Sequence, residues 1–315
     1  MKLIKNDKIK TAPLFVGAAA VFCTLLWGSA FPCIKIGYGL FGIAPEDVAS
    51  KLIFAGARFF LAGLIVLACG LFTDRRSMKL TRRDILPVGT LGFFQTFLQY
   101  LLLYIGLVNV SGTRSSILTS VSAFGSVLLS AVFFRSDRLT ARKLIGCASG
   151  IAGLILMNFG ADGGGFSLQG DGLVILSNLS GAAGNVISKR VSNGRSPVQL
   201  SAWQLIFGGG ALLLSGLITG GRLIPDGAGA VFLLLYLAAM AGIAFMIWTM
   251  LLFHNSVSRV AVYTLLIPVF GSMWSAVFLG ESIFTPTDLI SLLLVCSGIF
   301  IVNHSFGADK KARQQ

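Results

Sequence analysis

Charge is what this sequence has least of. Asp, Glu, Lys and Arg make up 12% of its 315 residues, against about 25% in soluble domains, so water is a poor solvent for most of its surface. Acidic groups are the scarcer sign, with twelve against 25 Lys and Arg. Histidine occurs twice, at His254 and His304, which excludes a His-rich metal site. There is no HExxH, no GxSxG and no intramembrane Asp pair, so an intramembrane hydrolase would lack its working groups. The phosphate-cradling GxxxxGK[ST] loop is missing too, and ATP does not drive work through this chain alone. The five cysteines lie in or beside apolar runs without paired spacing and read as small packing residues. No cofactor is implied.

Apolar residues fill the gap, at 55% of the chain and a mean hydropathy of +0.84. After a Lys-rich stretch at 1–10, an apolar run near 13–36 is too long for a signal-peptide core and has no clean cleavage site. It reads as a retained first span. Further runs of spanning length, about 17–25 residues, lie near 51–72, 85–108, 114–134, 141–159, 171–188, 198–219, 229–253, 258–279 and 287–304. An all-α membrane protein of ten helices follows, because backbone in lipid must satisfy its own hydrogen bonds. With both termini cytoplasmic, twenty Lys and Arg fall on the cytoplasmic side and four outside, leaving Arg58 within a span. The net charge of +13 therefore reads as positive-inside clustering, not as a nucleic-acid surface.

The chain also repeats itself once. Phe124-Gly125-Ser126 stands 146 residues before Phe270-Gly271-Ser272, and Ser130-Ala131-Val132-Phe133 stands 145 before Ser275-Ala276-Val277-Phe278. Arg58 and Gln204 are mates at a spacing of 146. Two modules follow, 1–160 and 161–315, each with five spans. An odd number of spans turns the second copy over, the inverted-topology repeat found in many secondary transporters.

Several of these phrases together resemble a known family. TLLWGSAFPCIK (24–35), GARF (56–59), Ala202-Trp203-Gln204 and the Gly280-Glu281 close of the ninth span are similar to the EamA branch of the drug/metabolite transporter superfamily. The resemblance covers nearly the whole chain. It implies a ten-helix basket with a central cavity lined mainly by spans 1, 3, 4, 6, 8 and 9, with 5 and 10 peripheral. The chain departs from the family pattern in the fourth span, where Ser122 replaces the usual proline and Ser136-Asp137 stands for Gly-Glu.

A carrier needs polar or aromatic groups at mid-membrane, where each unsatisfied polar group is expensive. Gln95 and Gln99 share one face of span three and can both donate to and accept from a ligand; helix–helix bonding is the alternative. Asn185 lies among small residues that suit either packing or a cavity. Tyr263, Ile267, Phe270 and Trp274 form a stripe at helical spacing, ordinarily a packing feature, but Tyr263 and Trp274 are carried as ligand candidates with Trp27 and Trp248. The Ser115, Thr119, Ser122 and Ser126 stripe is explained by back-bonding to the preceding turn. Arg58 is the one charge deep in a span, and it is assigned with Gln204, Pro268 and Glu281 to structural or gating duty.

These readings converge on a secondary transporter in the cell membrane. It would move a small metabolite, an amino acid or related neutral, zwitterionic or anionic solute, outward by alternating access. Since no acidic residue falls at mid-membrane, a lipophilic cation has nothing there to offset its desolvation. A multidrug or cation exporter is the alternative, followed by a channel or scaffold and an intramembrane enzyme. The expected partners are a small-molecule substrate and the bilayer, without nucleic acid; a homodimer is left open.

Overall fold

The computed structural model describes residues 10–110, 112–157, 166–279 and 286–312. Among them the chain is helical and has no strand. Helix α1, Pro13–Leu40, starts on a proline whose missing N–H is no loss in a first turn. Helix α2, Val48–Asp74, is capped by Asp47, which accepts from the backbone N–H of Ser50 at 2.9 Å. Helix α3, Arg82–Gly106, opens on a Thr81–Asp84 capping box and carries a π turn at Phe93–Leu98. Then follow α4 (Gly112–Phe133), α5 (Ala141–Met157) and α6 (Leu173–Arg190), the last preceded by a second π turn at Leu168–Gly172. Helix α7 is Pro197–Ile218 and α8 is Gly227–His254. Helix α9, Val257–Phe278, passes through a 3₁₀ turn at Val262–Leu265, and α10 is Pro286–Ala312.

The 3₁₀ turn has a local cause. Pro268 lacks the N–H that would bond the carbonyl of Thr264, and its ring crowds that oxygen, so the preceding turn tightens. Pro268 was assigned a gating role from sequence; its visible effect is this break in α9. Glu281 lies outside the described residues.

Six helices among the described residues, α1, α2, α3, α7, α8 and α9, are long and apolar enough to cross a membrane. Large apolar side chains face outward along them: Phe72 is 94% exposed, and Leu86, Ile218 and Phe232 are also bare. A patchwork of that extent suits lipid, not water.

The packing is pairwise. Helix α2 lies against α7, and α5 against α10. Helix α1 packs on α8 and α9, while α6 packs on α3 and α4. Without hydrophobic drive between helices in lipid, close backbone approach must hold such pairs. At Gly209 of α7 an added Cβ would stand 2.5 Å from the backbone nitrogen of Phe60, so only glycine fits there. Exchanging each helix for the one five further along maps these pairs onto one another.

At the end of the bundle where α1 and α9 start and α8 ends, the centre is filled by Val16, Ala20, Cys23, Val186, Leu251, Leu252, Val257 and Val260. Polar ties cross it. Ser130 and Ser258 hydroxyls lie 2.8 Å apart, and Lys189 Nζ donates to the Phe253 carbonyl at 2.7 Å. Asp137 and Lys143, read from sequence as ordinary cytoplasmic charges, are both 1% exposed here and paired at 2.6 Å.

Candidate functional site

A cavity of about 390 Å³ occupies the other half of the bundle. Its wall from α1 begins at Trp27 and continues through Ile34, Lys35 and Tyr38 toward the helix end. Helix α3 contributes Gln95, Gln99, Tyr100 and Tyr104, and α4 contributes Ser115, Thr119 and Ser122 near its start. Asn178 and Asn185 come from α6, Met240, Phe245 and Trp248 from α8, and Thr264 and Ile267 from α9. Among the described residues, α5, α7 and α10 add nothing to the wall. Helix α2, not expected in the wall, supplies Arg58 and Phe59.

The π turn shapes the α3 wall. Its wider backbone leaves the Phe94 carbonyl for an outside donor, Ser180 Oγ at 2.7 Å, and just beyond the turn Ser177 Oγ reaches Gln99 O, also at 2.7 Å. These serines tie α3 to α6 so closely that a Cβ on Gly184 would stand 2.5 Å from Gln95 Cβ. Gln95 and Gln99 are thereby held in the wall, as the sequence placed them on one face.

The floor is a hydrogen-bonded cluster. Asn185 Oδ1 accepts from Trp248 Nε1 at 3.0 Å and from Gln95 Nε2 at 3.3 Å. Asn185 Nδ2 donates to Ser126 Oγ at 3.1 Å. Trp27 packs edge-on against Trp248 and Phe245, with centroids at 5.0 and 5.5 Å. Phe245 continues to Phe59 at 6.0 Å. The guanidinium of Arg58 sits 4.3 Å from the Phe59 centroid and 5.9 Å from that of Tyr100. One unbroken run of contacts thus links Arg58, Trp27, Trp248, Asn185 and Gln95. No carboxylate lies among the lining residues.

Of the candidates from sequence, Trp27, Gln95, Gln99, Asn185 and Trp248 come together here. Tyr263 and Trp274 do not. Tyr263 packs against the sealed end, with its hydroxyl 3.1 Å from the Cβ position of Gly17. Trp274 donates to the carbonyl of Leu25 at 3.3 Å and stacks on Phe278 at 5.5 Å. Gln204 is fully buried outside the cavity, where its Oε1 accepts from Thr96 Oγ1 at 2.8 Å. Ser115, Thr119 and Ser122 belong to the wall, and the back-bond expected from sequence is present at Thr119, whose Oγ1 donates to Ser115 O at 2.9 Å; Phe245 is an addition to the candidates. Its position three residues before Trp248 on one helix was the available signal.

A model of the EamA-like transporter family matches residues 14–159 and 168–304. The chain belongs to that family. It is accordingly a multi-pass membrane transporter for a small molecule. A relative from Salmonella typhimurium named "Probable amino-acid metabolite efflux pump" is 30% identical over 310 residues, covering 94% of this chain and 97% of its own. An Escherichia coli protein of the same name is 27% identical over 303 residues, covering 90% and 93%. A solved crystal structure superposes with a TM-score of 0.74 at 19% identity, covering 91% of this chain and 95% of that one. At that identity the likeness is one of fold alone.

Proposed function

We propose that this EamA-like transporter exports an amino acid or a closely related small metabolite across the cell membrane by alternating access. The carrying observation is the composition of the cavity: amides, hydroxyls, aromatic faces, one buried guanidinium and the exposed Lys35 ammonium, with no carboxylate among the lining residues. Such a wall suits a ligand with its own negative pole and offers little to a lipophilic cation. The names of the Salmonella and Escherichia coli relatives support the same class of substrate.

The transport cycle follows from topology. The helices form ten spans in two inverted repeats, 1–160 and 161–315, with both termini cytoplasmic. The two matched stretches and the exchange symmetry of the helix pairs support the duplication, and the 20-to-4 distribution of Lys and Arg supports the orientation. The cavity then lies on the outer side and the sealed end faces the cytoplasm, an outward-facing arrangement. Trp27, Gln95, Gln99, Asn185 and Trp248 contact the substrate near the midplane.

A resistance assay in an efflux-deficient host tests this reading. Expression should protect against toxic amino-acid analogues and leave sensitivity to ethidium unchanged. Protection against ethidium without protection against the analogues overturns it.

A further inference from the structure

Three polar atoms on the cavity wall are buried and lack a partner among the described residues: Trp27 Nε1, Arg58 Nε and Gln95 Oε1. Two are donors and one is an acceptor, and the bonding around them decides which is which.

The decision starts at Trp248. An indole nitrogen only donates, so the Asn185 atom facing it at 3.0 Å must be the oxygen. The amide nitrogen of Asn185 then points to Ser126 Oγ. That same oxygen of Asn185 faces the amide of Gln95, so Gln95 must present Nε2 to it. An amide flip of either side chain would set two donors or two acceptors against each other. Gln95 Oε1 is left as a lone acceptor.

Arg58 supplies the opposite pole. It is 4% exposed, it lines the cavity, and among the described residues no carboxylate pairs with it. Its contacts to the Phe59 and Tyr100 rings are each worth about 0.5–2 kcal/mol, against several kcal/mol for desolvating a cation. The balance calls for an anion from outside the chain. Trp27 Nε1 is a further donor on the same wall.

We infer that the cavity floor reads both poles of an α-amino acid, with the carboxylate on Arg58 and the ammonium on Gln95 Oε1. This assignment rests on the metabolite-export reading above and adds which atoms recognise which group. It moves Arg58 from gating into substrate recognition.

Purified full-length protein in nanodiscs tests it by calorimetry. The standard amino acids are screened first; the tightest binder is then compared with its amide, which loses the carboxylate, and its deaminated acid, which loses the ammonium. Both analogues should bind about tenfold or more weakly, because buried polar groups would be left unpaired. Arg58→Gln should weaken the amino acid strongly and abolish its advantage over the amide, and Arg58→Lys should restore part of it. Gln95→Met should abolish the advantage over the deaminated acid while leaving the preference over the amide. The two substitutions fail independently, so loss of fold in Arg58→Gln leaves Gln95→Met to decide. Retention of either preference by a monodisperse variant overturns the assignment. So does the absence of binding by any standard amino acid while the wild type still protects cells against toxic analogues. Tight binding of ethidium instead would remove the export reading itself.

Discussion

Ser258, at the start of α9, donates its backbone N–H to Asp137, just beyond the end of α4, at 3.0 Å. The other carboxylate oxygen of Asp137 takes Lys143 Nζ, which also donates to the carbonyl of Arg138. One buried carboxylate thus fastens the α4–α5 connector to α9 at the sealed end. In the proposed alternating-access cycle, opening this end parts α9 from the α4–α5 connector and breaks the bond to Ser258.

Asp137→Asn should therefore loosen this end and lower stability. Removing the carboxylate charge takes from buried Lys143 its ion-pair partner, and breaking a buried pair costs about 3–5 kcal/mol. Cys23 reports the change, since it is fully buried in the seal. In a variant retaining only that cysteine, Asp137→Asn should speed maleimide labelling and depress the melting temperature. Unchanged labelling would separate Asp137 from the seal.

Orientation has a direct check. A reporter fused after Gln315 should behave as cytoplasmic. One inserted in 160–171, which holds two Asp and no Lys or Arg, should behave as external. A cytoplasmic signal from the second site would remove the inverted repeat and reverse the direction of the cavity.

The α3–α6 contact sets the position of Gln95. Gly184→Ala places a methyl 2.5 Å from Gln95 Cβ and 3.0 Å from its Cα, and backbone cannot yield as a flexible side chain can. Overpacking of this kind costs about 1–3 kcal/mol. Transport should fall further than folded yield, because the Asn185 bond at 3.3 Å is already long. Export at wild-type rate with normal yield would show that the floor tolerates displacement of α3.

Much of the site was legible because polar groups in apolar runs are few. Gln95, Gln99 and Asn185 stood out against their spans, and Trp27 and Trp248 came from a short list of four tryptophans. Tyr263 and Trp274 fall outside the wall because a stripe fixes a face relative to its own helix, not which neighbour that face meets. The 3₁₀ turn at Val262–Leu265 further rotates the first part of α9 against the rest. Asp137 and Lys143 look like ordinary connector charges, since their burial depends on α9 from the other half of the chain. Arg58 was recognised as exceptional, but its surroundings come from α3 and α2 together and were invisible in either alone.

The π turn in α3 has a consequence for how such a carrier changes over generations. It holds one residue more than the α-helical path would need, so losing a residue between Phe93 and Leu98 would rewind the turn to α-helix and leave the two halves of the helix facing as they do. The faces packed on α6 and α7 lie on both sides of that point. A single codon lost there would spare both faces and change only the turn itself, whereas one lost in the regular part of α3 would swing one half by about 100° against the other. The turn is thus the place in α3 where losing a residue leaves the packing on both neighbours intact.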